Sequence, residues 1–198
     1  MKKLVFFVMA TSLPLQANTW SINDSIYPSI DSSVLSYSAE DKKVSTTNIT
    51  VHVLYYPEER TSIVSFVMPN HLNYLCGRKP KKAFAADSYR EVNAGTMVVE
   101  GQNIRAIAIC NYEWRLDYDN RDKNGTTPYK GHWSIEFQPE SSSGMNFVLN
   151  KMRNNANLAK DTVINFDYEK SPNGKVYFLR TAEAKEAFNF IDSKVNAI

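Results

Sequence analysis

Apolar residues recur at every second position through much of the chain between residues 47 and 137. Over 47–56, for example, the apolar side chains of one face are Ile49, Val51, Val53 and Tyr55. This period of two is that of a β-strand with one buried face, and it differs from the 3.6-residue period of a helix. The alternation therefore predicts a fold built mainly from strands.

Short polar turns separate these strands, so consecutive strands can pair in antiparallel fashion. The predicted hairpins are 47–56 with 61–68, 97–100 with 103–112 and 161–166 with 175–180, and a single strand covers 132–137. The strand 103–112 is apolar on both faces, which predicts a place in the centre of the sheet. Residues 18–46 have no regular period, so we expect an irregular start with short strands there.

Two segments late in the chain have helical spacing instead. We expect a helix over about 142–155, capped by Ser142 or Ser143, because a serine hydroxyl can accept from a free amide of the first turn. A second helix is expected over about 182–195, capped by Thr181.

Taken together, these elements predict an α+β fold. It consists of an antiparallel sheet or sandwich of about seven to nine strands with two late helices packed on it. One or two helical turns are also expected within the connection around 83–92. No repeat or linker divides residues 18–198, which we expect to form a single β-rich domain.

The first seventeen residues have the parts of a secretory signal peptide. Lys2 and Lys3 form a positive start, residues 4–13 are apolar, and Ala17 supplies the small residue before a cleavage site. The apolar stretch is about half the ~20 residues that a membrane-spanning helix requires. We therefore expect a periplasmic or secreted chain without stable membrane insertion after cleavage. An uncleaved anchor is the alternative, because Leu15 is imperfect at the third position before the cut.

The charge balance argues against nucleic-acid binding. The chain has 23 basic and 21 acidic residues, and removal of Lys2 and Lys3 would leave 21 of each sign. Binding to a polyanion normally requires a basic excess that displaces counterions. The apolar content of 43% instead indicates a folded core rather than a disordered chain.

Cys76 and Cys110 are the two cysteines of the sequence. In an oxidising compartment a single pair is expected to form a structural disulfide. The two residues have no cysteine neighbour, which disfavours a CxxC redox site or a thiolate metal site.

A basic run flanked by aromatic residues follows the first cysteine. Arginine and tyrosine are common among the side chains that contribute most to protein interfaces. The predicted contact residues are Tyr74, Arg78, Lys79, Lys81, Lys82 and Tyr89. An acidic protein, an anionic lipid surface or a wall polymer would each suit this charge, and simple solvation of a loop is the alternative.

The polar loop 119–130 contains part of a calcium-binding pattern. Asn120, Asp122 and Asn124 stand at alternate positions before Gly125, as in the first half of a calcium loop. The closing glutamate is missing, so the pattern favours a solvated hairpin turn built on Asn124 and Gly125. Calcium binding at Asn120, Asp122 and Asn124 is the alternative.

No catalytic or cofactor motif is found, and no cofactor is expected. His52, His71 and His132 lie in separate segments without zinc-ligand spacing, and His52 and His132 are expected to face solvent or a neighbouring strand. A wall-active hydrolase would need two converging carboxylates, for which the candidates are Glu113, Asp117 and Glu136.

The functional prediction follows mainly by exclusion. We expect an exported, disulfide-bonded, non-enzymatic protein that binds a protein partner in the bacterial envelope through its loops. Within this class we favour an inhibitor or immunity-like factor against a periplasm-acting protein. The alternatives are an accessory subunit of an envelope machine and the carboxylate hydrolase.

Overall fold

The fold is built on one antiparallel sheet that curls until its two ends meet. A computed structural model describes residues 20–38, 43–68, 73–80, 88–167 and 176–196. The strands are β1 (Ser21–Asn23), β2 (Ser29–Ser38), β3 (Lys43–Tyr56), β4 (Thr61–Met68), β5 (Tyr89–Val99), β6 (Gln102–Leu116), β7 (Tyr129–Pro139), β8 (Thr162–Asp167) and β9 (Val176–Leu179).

The order of strands in the sheet is β1-β2-β3-β4-β7-β6-β5-β8-β9. A further antiparallel pairing joins β2 to β9, with Ser36 opposite Tyr177 and Tyr37 opposite Val176. The strands β2 to β9 therefore form a closed ring, and β1 is added to β2. A closed sheet leaves few free strand edges, which limits edge-to-edge association with other chains.

The core lies inside this ring and follows the predicted alternation. The alternating residues Ile49, Val51, Val53 and Tyr55 of β3 are at most 1% exposed. Ile104, Ala106, Ala108 and Cys110 line the inner face of β6 in the same way. As its apolar outer face predicted, β6 is an interior strand, with β7 on one side and β5 on the other.

Three helices accompany the sheet in the described residues: α1 (Asn73–Cys76), α2 (Ser142–Asn157) and α3 (Lys185–Asn196). α2 buries Val148, Leu149, Met152 and Ala156, and α3 buries Ala187, Phe188 and Ile191. The predicted α+β fold with two late helices is therefore confirmed. Of the two sheet arrangements left open, the structure has a single curled sheet.

The N-cap of α2 is one residue earlier than predicted. Ser141 has extended backbone, and its hydroxyl accepts a hydrogen bond from the amide of Gly144 over 3.1 Å. The predicted caps Ser142 and Ser143 are both inside the helix. The helix itself begins at Ser142, as expected, and only Glu140 separates its cap from the end of β7 at Pro139.

Thr181 was predicted to cap the last helix, and this is wrong. It opens a short 3₁₀ turn, Thr181–Glu183, and α3 begins at Lys185. The Thr181 hydroxyl lies 2.9 Å from that of Thr162 and donates to the carbonyl oxygen of Lys160 over 2.6 Å. It therefore ties the start of the last helical segment to β8.

The helical turns expected around 83–92 do not extend to the end of that range: Ser88 has 3₁₀ backbone, and Tyr89–Val92 begins β5. Residues 83–87 and the predicted signal peptide 1–17 lie outside the described residues. None of the helices in the described ranges is both long and apolar enough to cross a bilayer.

Candidate functional site

The predicted disulfide is present and lies at one end of the closed sheet. It joins Cys76, at the end of α1, to Cys110 in the middle of β6. Both residues are at most 1% exposed, and they are 34 positions apart in sequence. The bond fixes the segment that follows α1 against the central strand.

Arg90 of β5 fastens the same segment a second time. It lies opposite Cys110 in the β5–β6 register. Its Nη1 donates to the carbonyl oxygen of Cys76 over 2.9 Å, and its Nη2 donates to that of Arg78 over 3.3 Å. The guanidinium carbon also lies 5.3 Å from the centre of the Trp133 ring, a cation–π contact. The segment 76–80, which we call the disulfide loop, is therefore held by one covalent bond and two hydrogen bonds.

The disulfide loop presents two of the predicted contact residues to solvent. Arg78 and Lys79 are exposed, and Tyr89, next to Arg90 in β5, is 58% exposed. Because Arg90 binds the carbonyl of Arg78, the disulfide loop lies beside the start of β5. The structure thus places Arg78 and Lys79 beside the start of β5, whose first residue is Tyr89, and the role of all three in binding stays a prediction.

The other predicted contact residues are Tyr74, Lys81 and Lys82. Tyr74 lies within α1. Lys81 and Lys82 lie outside the described residues. The contact surface is therefore defined here by Arg78, Lys79 and Tyr89.

An aromatic cluster supports the strands next to the disulfide. The ring of Tyr112 lies edge-on to Trp133 and to Trp114, at centroid distances of 4.9 Å and 4.8 Å. The Tyr112 hydroxyl donates to the carbonyl oxygen of Gly131 over 2.8 Å, and a methyl group at Gly131 would meet the tyrosine ring at 2.1 Å. Glycine is thus required there by the close approach of the ring.

A cleft of about 390 Å³ follows β6 beside this cluster. Its walls are five consecutive residues of β6, from Asn111 to Arg115, together with Ser88. Trp114 Nε1 and Ser88 Oγ are buried at the cleft and have no hydrogen-bond partner among the described residues. Buried polar groups are normally paired, so these two atoms mark a place suited to a further polar group.

Sequence reasoning did not find this cleft. Most of its walls are consecutive residues of β6, and they are open because β5 begins opposite Asn111, five residues before β6 ends. Tyr89, the first residue of β5, pairs with Asn111, and β6 continues to Leu116. The one available signal was the concentration of aromatic residues at Tyr112 and Trp114.

The calcium-like loop is closed by its own hydrogen bonds. Asp122 Oδ1 accepts from the amides of Asn124 and Thr126 over 2.9 Å and 2.7 Å, and Asn120 Nδ2 donates to Asp117 over 2.8 Å. Within the described ranges, no group of three or more His, Cys, Asp or Glu side chains is placed to hold a metal ion. Metal binding by Asn120, Asp122 and Asn124 stays a prediction.

The two described histidines contact carboxylates on neighbouring strands. His52 Nδ1 is hydrogen-bonded to Asp31, and His132 Nε2 lies 3.5 Å from Glu113. The strand register places His52 opposite Asp31 and His132 opposite Glu113. His71 lies outside the described residues.

The two glutamates considered for hydrolysis are far apart. Glu113 pairs with His132 and Glu136 with Ile109, so they are separated by four residue steps, or about 13 Å along the strands. The Glu113 carboxylate accepts from Arg115 and the Glu136 carboxylate from Gln138. Both partners lie on the far side of their glutamate, so the two carboxylates are directed away from each other. Paired glycosidase carboxylates are about 5 to 9.5 Å apart, a spacing this pair does not have.

Comparison with known proteins identifies no relative. No family model, curated protein or solved structure matches the chain. The function has therefore to be inferred from the residues around the disulfide.

Proposed function

We propose that this chain is an exported binding protein of the bacterial envelope that engages a protein partner and has no enzymatic activity of its own. Its contact surface consists of Arg78, Lys79 and Tyr89. The predicted signal peptide supports export, and the disulfide between Cys76 and Cys110 fits an oxidising compartment.

The observation that carries this proposal is the double attachment of the disulfide loop. A loop fixed before binding loses little conformational freedom when a partner docks, so more of its contact energy contributes to affinity. The disulfide and Arg90 provide that fixation for Arg78 and Lys79. Such attachment is not needed for a loop whose charges only keep the protein soluble.

The chemistry of the surface favours an acidic partner. Arg78 and Lys79 are exposed, and the sequence continues with Lys81 and Lys82. Tyr89 adds an aromatic side chain that can contribute a large apolar contact and a polar hydroxyl. Among acidic partners we favour a periplasm-acting enzyme or toxin that this chain inhibits, and an accessory role in an envelope machine would use the same surface.

Affinity capture from a periplasmic extract tests the proposal. The protein, with its disulfide intact, should retain a stoichiometric protein partner. The double variant Arg78→Glu/Lys79→Glu should weaken that capture by about tenfold or more, because it reverses the charge of the surface. The exposed pair Lys160→Glu/Lys185→Glu makes the same change in net charge elsewhere and should have little effect.

Two results would contradict the proposal. One is the absence of any stoichiometric partner for the wild-type protein. The other is an equal loss of capture in both double variants, which would indicate a general charge effect. Turnover of peptidoglycan by the purified protein, lost on Glu113→Gln or Glu136→Gln, would replace binding with hydrolysis as the function.

A further inference from the structure

β6 and β7 extend beyond the ring as a two-stranded arm. On one side of β6, β5 begins at Tyr89, which pairs with Asn111. From Tyr112 to Leu116, β6 pairs with β7 and with no other strand in the described ranges. One edge of these five residues therefore has no strand beside it in that part of the chain.

The alternation of backbone hydrogen bonds between β6 and β7 shows which backbone groups of β6 point to this edge. The amide of Asp117 donates to the carbonyl oxygen of Pro128, and at the other end the amide of Glu140 donates to that of Arg105. Odd-numbered residues of β6 therefore bond to β7. In an antiparallel ladder the intervening residues direct their amide and carbonyl groups to the opposite side. Those of Tyr112, Trp114 and Leu116 thus face the edge along which no strand lies in the described ranges.

We propose that this edge pairs with the same edge of a second copy of the chain, in a two-fold dimer centred on Trp114. The five-residue sequence of the edge is Tyr-Glu-Trp-Arg-Leu. Antiparallel pairing about its central residue places Glu113 opposite Arg115 of the second copy, and Arg115 opposite Glu113. A two-fold interface requires this kind of self-complementarity.

The side chains suit this arrangement on both faces of the arm. Glu113 and Arg115 lie on the outer face, where their side chains are 36% and 72% exposed and bond to each other over 3.0 Å. On the other face, Tyr112 would pair with Leu116 of the second copy and the two Trp114 residues would meet. The ladder would add about six backbone hydrogen bonds. It would also fill the cleft beside Ser88 and Trp114.

The edge of β7 lacks this complementarity. Antiparallel two-fold pairing of residues 129–133 about Gly131 would place Lys130 of each copy opposite His132 of the other. Lysine on a free edge is a common means of preventing association. The charge pattern thus selects the β6 edge for pairing with a copy of itself.

The length of the free edge also fits. After Leu116 the chain leaves the strand and enters a 3₁₀ turn, Tyr118–Asn120. A second copy would therefore end its strand where β5 begins on the first copy. Because only five residues per copy pair, the interface is small, and we expect a reversible dimer that dissociates on dilution.

Sedimentation velocity over a range of concentrations tests the dimer. The wild-type protein should pass from monomer to dimer as its concentration rises. Glu113→Arg and Arg115→Glu should each lower the association constant by about tenfold or more, because each places like charges opposite one another at two positions. The double variant Glu113→Arg/Arg115→Glu restores opposite charges and should dimerise within about threefold of wild type.

Mixing the two single variants provides the decisive measurement. One then carries basic residues at both positions and the other acidic residues, so a heterodimer should form where neither variant dimerises alone. Damage to folding cannot produce this rescue. A wild-type protein that stays monomeric at every concentration, or single variants that dimerise like wild type, would overturn the proposal. The variants leave Arg78, Lys79 and Tyr89 intact, so the partner capture described above tests a separate surface.

Discussion

Arg90 Nη1 lies 2.9 Å from the carbonyl oxygen of Cys76 and donates a hydrogen bond to it. The same arginine stands opposite Cys110 in the strand register. Arg90 is thus paired with Cys110 through the strand register and bonded to Cys76 through its side chain. This arrangement, in which β5, β6 and α1 meet, fixes the position of the disulfide loop.

Replacement of Arg90 with methionine should destabilise the protein by about 2 kcal/mol. The change keeps a similar apolar stem but removes two charge-assisted hydrogen bonds and the contact with Trp133. Urea unfolding measures the effect. As a control, Arg105→Met removes an ion pair with Glu140 in which both side chains are well exposed, and it should cost less than about 0.5 kcal/mol. Equal effects of the two changes would show that Arg90 is not a structural link.

Loss of the disulfide should cost about 3 to 4 kcal/mol. The bond closes a loop between residues 34 positions apart, and the entropy it removes from the unfolded chain sets this magnitude. Urea unfolding of the double variant Cys76→Ala/Cys110→Ala measures it. A reducing agent should lower the stability of the wild type and leave that of the double variant unchanged. A wild type insensitive to reduction would contradict the structural role of the bond.

The local parts of this fold could be predicted because their signals are local. The period of two in residues such as Val51 and Val53 follows from which face of a strand is buried. The pairing of Cys76 with Cys110 required only that the chain has two cysteines. Neither inference needed to know which strands are neighbours.

The closure of the sheet and the cleft depend on pairings that no local pattern records. The contact of β2 with β9 joins residues about 140 positions apart in sequence, such as Ser36 and Tyr177. The cleft arises because β5 starts opposite Asn111, five residues before β6 ends. The start of β5 is set by its register with β6, whereas the composition of residues 83–92 predicted helical turns.

Ser141→Ala should destabilise the protein by about 1 kcal/mol, because its hydroxyl accepts from the amide of Gly144 at the start of α2. Ser142→Ala is the matched control, since this exposed neighbour lies inside the helix, and it should change stability by less than about 0.5 kcal/mol. Thermal unfolding of the two variants compares them directly. The adjacent serines are equivalent in sequence, so a larger effect at Ser142 would place the cap where the sequence alone put it.

Gly131→Ala should destabilise the arm by about 2 kcal/mol, because the added methyl group would meet the ring of Tyr112 at 2.1 Å. The free energy of unfolding gives this cost. To separate the contact from any general effect of the change, the cost of Gly131→Ala is also measured in the background of Tyr112→Leu. Leucine lacks the ring atoms that the methyl group would strike, so the cost there should fall below about 0.5 kcal/mol. The difference between the two backgrounds is the coupling energy of a double-mutant cycle. A cost that is the same in both would mean that Gly131 is required by its backbone and not by the tyrosine.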